Sequence, residues 1–315
     1  MNLALPAPVR ALLVACALPA AACAQITFAF DYSQEDAGAG FNDATLGATR
    51  KAALQSAADT LSGYFSGYAA RTVTIRVNAS LNQNAGFLAS AGSLYFTTSN
   101  TFQPGLVATL IQTGVDNNPS YQGALTWNFG YTWDYDDSVA GGTFDFKAVA
   151  MHELTHTLGF ASMISSSGTS DLGTNVWSTF DQFLTDASGN ALINSTTKAY
   201  AGGSILSDGF GSDVYFSGSN AMAANGGSRV HIYSPASYAA GSSLSHLDTD
   251  FFTSAAYLME HAVAAGAATR TLSAIELGIL TDLGYSVSAV PEPGTYALAA
   301  GALALLLAAA RRRAA

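Results

Sequence analysis

The stretch that most constrains this chain is "FDFKAVAMHELTHTLGF", residues 144–160. It places His152 and His156 four residues apart, with Glu153 directly after the first histidine. On an α-helix, residues four apart lie one turn above each other on the same face, so both imidazoles can bind one ion. The surrounding residues are apolar almost all round, where these polar groups would be costly unless something satisfied them. The stretch therefore predicts a buried helix that binds a metal ion.

The chemistry of such a helix depends on Glu153, which lies close to the ion without ligating it. Zinc with three protein ligands keeps an open position for water and lowers the pKa of that water to about 7. A carboxylate beside the ion can then accept the proton. The motif predicts Zn²⁺ bound by His152 and His156, Glu153 as general base, and hydrolysis of peptide bonds by an endopeptidase acting on proteins or peptides.

A non-catalytic exported surface or matrix protein, with a structural or vestigial metal site, is the alternative. A structural zinc site usually closes all four positions with protein ligands, often cysteines. The two cysteines, Cys16 and Cys23, both lie near the N-terminus. The rest of the chain has no thiol for a metal, and Glu153 also favours catalysis, since a structural ion does not need it.

The N-terminus predicts a signal peptide over residues 1–24. Arg10 precedes an apolar run that is too short to span a bilayer, and Ala22 and Ala24 form an A-x-A cleavage site. A lipoprotein signal that uses Cys23 is the alternative interpretation. Either signal exports the protein to an oxidising compartment, yet the exported part has no cysteine pair, so a hydrophobic core must stabilise it.

The C-terminus, "VPEPGTYALAAGALALLLAAARRRAA", contains a Pro-Glu-Pro turn, 17 uncharged residues over 294–310 and three arginines. At about 1.5 Å per residue, the uncharged run is a short transmembrane segment, and the arginines stay cytoplasmic. This three-part layout resembles the PEP-CTERM sorting signal of Gram-negative bacteria, assigned here to residues 289–315. The resemblance implies transient membrane insertion, cleavage near Pro291 and Pro293 by an exosortase-type enzyme, and delivery to the cell surface or medium.

Charge excludes two classes of partner. The chain has 12 Lys and Arg residues against 22 Asp and Glu residues, a formal net charge of −10. Four of the basic residues fall in the terminal segments, so the region between is more acidic still. Nucleic acid and an anionic membrane surface are therefore not expected partners.

Residues 25–288 are predicted to form one α+β domain, because no linker or repeat interrupts them. Strands are predicted from β-branched or alternating patterns, and helices from apolar spacing. The strands are 26–32, 71–80, 93–99 and 124–133; the helices are 43–65, 143–160 and 271–287. Strands before one buried helix predict a mixed twisted sheet that packs on the helix, followed by a C-terminal helical subdomain. The Gly-, Ser- and Asn-rich region 165–240 is predicted to be a loop-rich insertion.

The run HExxHxxGF resembles the metzincin clan of zinc peptidases, in which the glycine lets the chain turn towards a third ligand. The place of that ligand in the compact pattern holds Ser162. Leishmanolysin-like members instead have a long insertion before the third histidine, and "GSSLSHLDTDFFTSAAYLMEHA" fits that spacing. The resemblance implies a zincin-like fold, His246 as third zinc ligand and Met259 as the methionine of a turn beneath the metal. Plain core packing is the alternative role for Met259.

Other candidate ligands remain open. Asp171 lies in a motif faintly similar to that of aspzincins, and Glu260 is the next glutamate after Glu153. His231 is predicted to be a strand histidine and His261 a loop histidine. Tyr257 is a candidate for a tyrosine that acts late in the reaction.

A second metal site is considered in "YTWDYDDSVAGG". Asp134, Asp136 and Asp137 cluster there near glycines, and such carboxylates suit Ca²⁺. A solvated turn is the favoured interpretation of this loop, and a calcium site is the alternative.

Overall fold

The computed structural model describes residues 26–288, except for 37, 83–85, 97–99, 204–212, 249 and 253–256. The predicted signal peptide and the sorting segment, with its apolar run 294–310, lie outside the described residues. Within the described part, none of the helices has the length and apolar character to cross a membrane.

The described residues form both strands and α-helices. The strands are β1 (Ile26–Asp31), β2 (Arg71–Ser80), β3 (Ala89–Ser93), β4 (Thr101–Gln103), β5 (Gly123–Asn128), β6 (Trp133–Asp134), β7 (Phe144–Asp145), β8 (Val176–Ser178), β9 (Leu184–Thr185), β10 (Val214–Phe216) and β11 (Val230–Ile232). The helices are α1 (Gly47–Ser62), α2 (Leu106–Thr113), α3 (Phe146–Thr157), α4 (Ser219–Ala224) and α5 (Ala274–Asp282). Short 3₁₀ turns cover Gly40–Asn42, Gly63–Phe65 and Asp181–Phe183. The predicted α+β class is confirmed.

A four-stranded mixed sheet forms the centre of the fold, in the order β1-β2-β5-β3. The strands β1, β2 and β5 are parallel, and β3 runs antiparallel at one edge. Alternate residues of β2, Val73, Ile75 and Val77, are fully buried, as its period-two pattern predicts. Helix α1 packs on β1, α3 packs on β3, and the two helices pack on each other.

An aromatic cluster holds the start of α3 against this sheet. The rings of Phe146 on α3 and Trp127 on β5 lie with centroids 4.0 Å apart. Phe41 meets Phe146 edge to face at 6.1 Å. All three side chains are fully buried, and such contacts stabilise a core beyond the burial of area alone. The helix with the histidine pair is therefore fixed to the sheet from its first residue.

The strand predicted over 93–99 was wrong in part. The observed strand β3 overlaps it only at Ser93, residues 94–96 are not in a strand, and residues 97–99 lie outside the described residues. The residues of β3 are Ala, Ser and Gly. Pairing with β5 fixes this strand, and tertiary context overrides its poor β-propensity. The region 165–240, predicted to be a loop-rich insertion, also contains the short elements β8 to β11 and α4. Its strands have two or three residues each, too few for a period-two pattern to show.

The C-terminal part of the domain ends on α5, within the helix predicted over 271–287. Ser273 and Glu276 form a capping box, in which each side chain accepts a hydrogen bond from the other residue's backbone N–H. The predicted apolar face is buried and comprises Leu272, Ile275, Ile279 and Leu283. Helix α5 packs on α4, which connects the end of the domain to the insertion.

Candidate metal centre

Helix α3 begins and ends at residues that the sequence specifies. The Asp145 side chain accepts hydrogen bonds from the N–H groups of Lys147 and Ala148, at 3.0 and 3.1 Å. Arg270 donates to the same carboxylate at 2.7 Å. At the other end, Gly159 has a φ of +98°, a left-handed conformation that favours glycine. The chain then leaves the helix directly after the second histidine.

Three histidines meet at one point beside this helix. The Nε2 atoms of His152 and His156 are 3.1 Å apart, and those of His156 and His246 are also 3.1 Å apart. The third distance, between His152 and His246, is 3.2 Å. The structure thus brings His246 to the predicted pair across 90 residues of chain.

The outer nitrogen of each ring is fixed by a backbone carbonyl. The Nδ1 atoms of His152, His156 and His246 lie 2.7, 2.7 and 2.8 Å from the carbonyl oxygens of Leu258, Phe160 and Ser242. A carbonyl can only accept, so each Nδ1 carries the proton and donates it. Each Nε2 is left with a lone pair that points towards the other two.

These nitrogens fit a bound cation. Zinc–nitrogen distances of about 2.0–2.1 Å in a tetrahedral site put ligand nitrogens about 3.3 Å apart, close to the spacings found here. Burial lowers the pKa of His152 to about 4 and that of His156 to about 3, and it holds the pKa of His246 well below its usual value. Neutral rings are the form that binds a metal, so the triad could hold an ion.

Glu153 is a further buried titratable group on α3. Its side chain is 5 % exposed, and Oε2 has no hydrogen-bond partner among the described residues. Burial raises the pKa of Glu153 to about 8, and the N–H of Ala91 on β3, which binds the carboxylate, lowers it in part. A buried carboxylate oxygen without a partner is costly unless it faces a group absent from the protein itself.

The segment with His246 is held by contacts to its neighbours in space. Its carbonyl accepts the N–H of Tyr233, and the N–H of Leu247 donates to the carbonyl of Met259. The N–H of Met259 in turn donates to the buried carboxylate of Glu276 at 2.6 Å. Met259 is fully buried and lies beside His246 in this pairing. That Met259 belongs to a turn beneath the metal stays a prediction.

Ser162 occupies the position of the third histidine in the compact metzincin pattern, and it joins two regions here. Its hydroxyl donates to Asp181 at 2.6 Å. Its N–H donates to the hydroxyl of Ser245, next to His246, at 3.0 Å. The sequence analysis did not identify Ser245, Asp181 or Glu276, because nothing in the local pattern of a serine or carboxylate indicates a partner so distant in the chain.

The other candidate ligands lie elsewhere. In the described part of the chain, the three histidines are the one group of His, Cys, Asp or Glu residues placed to hold an ion. His231 lies on β11, as predicted, and His261 lies in a loop with its ring stacked on Tyr233 at 3.5 Å. Asp171 and Glu260 are not members of the group. Tyr257 packs on Phe252 at 5.0 Å, and its catalytic role stays a prediction.

The aspartates of the candidate calcium loop are not grouped as metal ligands in the structure. The carboxylates of Asp134, Asp136 and Asp137 do not converge on one point. Asp134 accepts backbone N–H groups within the loop, and Asp137 forms salt bridges with Lys147 and Arg270. The structure therefore favours the solvated turn, in which Asp137 is paired with Lys147 and Arg270.

Comparison with known proteins identifies the C-terminal segment. Residues 289–313 match the PEP-CTERM protein-sorting motif. The protein is thus exported and sorted at its C-terminus to the cell surface of a Gram-negative bacterium, and exosortase-type enzymes recognise such a motif. No curated protein and no solved structure matches the chain. The chemistry of the metal centre therefore rests on its geometry.

Proposed function

We propose that the protein is a zinc-dependent endopeptidase of the cell surface. The observation that carries the proposal is the convergence of three unprotonated Nε2 atoms within 3.2 Å of one another. Three lone pairs this close repel each other unless a cation lies between them. A site with three protein ligands, and no fourth side chain in the group, is the open arrangement of catalytic zinc.

The residues around the triad have separate roles in this proposal. His152, His156 and His246 hold the ion, and their carbonyl partners keep the ring tautomers fixed. A bound zinc ion would polarise the scissile carbonyl and lower the pKa of water. Glu153 accepts a proton at Oε2 and passes it to the leaving amine, for which its raised pKa is suited.

The edge strand β3 offers the place for a peptide. It is an edge strand of the sheet, pairs along one side with β5 and contacts α3. Its Ala91 binds Glu153, so this edge runs past the proposed reaction centre. An extended substrate pairing near this edge would have main-chain hydrogen bonds for affinity and a scissile bond close to Glu153.

Metal content and casein cleavage, measured together, test the proposal on the purified full chain. We expect one zinc per chain in the wild type and in Glu153→Gln, with cleavage in the wild type only. His246→Ala should lose both the ion and the activity. Stoichiometric zinc without cleavage of casein or of a peptide library would support the non-catalytic alternative. A wild type that binds no zinc would refute the metal site itself.

A further inference from the structure

A second feature lies on the same sheet surface as His246. A cleft of about 590 Å³ opens there, and the residues used below are Tyr215, Met222, Arg229, His231 and Phe251. Among the described residues, its lining contains no Asp or Glu. Phe251 is 55 % exposed, so its ring adds apolar surface to the cleft.

Backbone pairing connects the cleft to the metal centre. Ile232 of β11 pairs with Leu247, and the flanking hydrogen bonds run from Tyr233 N–H to His246 and from Asp248 N–H to His231. Side chains alternate along a strand, so His231 and His246 project from the same face. Diagonal neighbours on paired strands are typically about 7–8 Å apart, which gives the expected separation of these two residues.

The next strand extends the same face. Tyr215 on β10 is the direct partner of His231 in the antiparallel pair, so its ring adds to the surface. The Tyr215 and His231 rings are 4.5 Å apart, and Phe251 stacks on the other side of His231 at 3.6 Å. The result is a row of three rings, and its middle ring, His231, is the diagonal neighbour of the proposed zinc ligand His246.

Arg229 closes the row with a cation. Its guanidinium lies 4.5 Å above the Tyr215 ring. It is held there by hydrogen bonds to Thr185 Oγ1 and to the carbonyls of Asp186 and Ala187. Rings, a fixed guanidinium and the thioether of Met222 are the groups that contact an aromatic side chain favourably.

We propose that this cleft binds an aromatic side chain of the peptide substrate, two or three residues from the scissile bond. The distance follows from the spacing above, since an extended peptide advances about 3.3 Å per residue. The proposal rests on the proposed function and names its substrate class. His231 lines the cleft and lies on the strand paired with the segment of His246, so a peptide bound at the metal centre is the occupant.

Quenched fluorescent peptides test this preference. A cleaved parent peptide is varied to Phe, Ala or Glu at the second and third residues on each side of the scissile bond. At one of these positions, we expect Phe to raise kcat/KM about tenfold over Ala in the wild type, as one well-packed aromatic anchor does. Phe251→Ala should reduce that ratio to about one. Tyr121→Ala is the matched control, because Tyr121 lies under Arg76, outside the cleft, and should leave the ratio unchanged.

A binding measurement separates the two proposals. Fluorescence polarisation with the labelled Phe peptide and Glu153→Gln protein should give a Kd about tenfold weaker when Phe251→Ala is added. Cleavage without any preference that depends on Phe251 overturns the cleft proposal alone. Binding that depends on Phe251 without any cleavage overturns the proposed function alone. A preference for Glu over Phe, or binding of oligosaccharides but not of the peptide, refutes the aromatic occupant.

Discussion

Helix α3 and the segment 242–261 meet at the metal centre, but they hold their ligands by different means. The helix places His152 and His156 through its own backbone hydrogen bonds, with a capped start and an aromatic cluster beneath it. The segment has no regular element in its described residues and is held by isolated bridges and side-chain contacts. In α3, the helix itself fixes the positions of the two ligands. In the segment 242–261, contacts with other parts of the chain fix the position of His246.

This difference indicates where the site is vulnerable. Two of the three ligand positions survive as long as α3 does. The third depends on Glu276 at α5 and on the link from Ser162 to Ser245. Residues that do not contact the ion should therefore also affect how tightly the site binds zinc, as supporting hydrogen bonds do in other metal sites.

The largest effect is expected when a ligand is removed from either region. His246→Ala and His152→Ala should each weaken zinc binding more than about a hundredfold, beyond the cost of losing a supporting partner. Competition with a fluorescent chelator measures the affinity. His231→Ala is the matched control and should bind like the wild type, because His231 is outside the triad. Stoichiometric, tight zinc in His246→Ala would show that the segment contributes no ligand.

Low pH should destabilise the metal-free protein, because both regions hold histidines whose pKa is lowered by burial. Burial lowers the pKa of His152 to about 4, whereas an unfolded histidine has a value near 6.5. The unfolded chain thus binds more protons in this window, and stability, fully present above pH 6.5, is lost as pH falls towards 4. The loss is about 3 kcal/mol for His152, at about 1.4 kcal/mol per pH unit.

Urea unfolding of chelator-treated protein at pH 7 and pH 4.5 measures this loss. The difference in unfolding free energy between the two pH values should be smaller in His152→Ala than in the wild type. An equal difference in the two proteins would mean that His152 is not buried in its neutral form.

Glu276→Ala tests whether the segment depends on α5. The change leaves the N–H of Met259 without its acceptor and removes the capping box, so the unfolding free energy should fall by about 2–3 kcal/mol. Zinc affinity should also fall, by about tenfold, because the Leu258 carbonyl that orients His152 lies next to Met259. Unchanged zinc affinity despite the lost stability would show that the segment holds its position without α5.

The smallest effect is expected from Ser245→Ala. This change removes the acceptor for the Ser162 N–H and should cost about 1 kcal/mol in unfolding free energy, with a few-fold loss of zinc affinity. Ser167→Ala is a suitable control, since Ser167 lies in an exposed turn of the insertion. An equal effect of the two changes would contradict the linking role of Ser245.

The same contrast explains what could be predicted from the sequence. The helix, its Asp145 cap and the histidine pair are local features, encoded in spacing over one or two turns. Strand β2 was predicted with its correct bounds because its apolar residues alternate over ten positions. These elements can be predicted from their own residues, without knowing which other elements they pack against.

The rest depends on contacts between distant residues. His246 was assigned through a resemblance in spacing, and nothing in its own neighbours identifies it as a ligand. Strand β3 consists of small residues that become a strand only through pairing with β5. Helix α2 was not predicted, and the short strands of the insertion fall below the length at which a period can be read.

The end of the domain has a mechanical consequence. The Tyr285 hydroxyl donates to the carbonyl of Leu158, two residues after His156, and its ring packs on Phe65. Ser288, the residue immediately before the sorting motif, donates its backbone N–H to the carbonyl of Tyr64. A pulling force on the motif would therefore act first on the hydrogen bond from Ser288 to Tyr64. It would then act on the bond from Tyr285 to Leu158, at the end of α3. The last described residues before the motif and the end of the metal helix are therefore joined by hydrogen bonds within one domain.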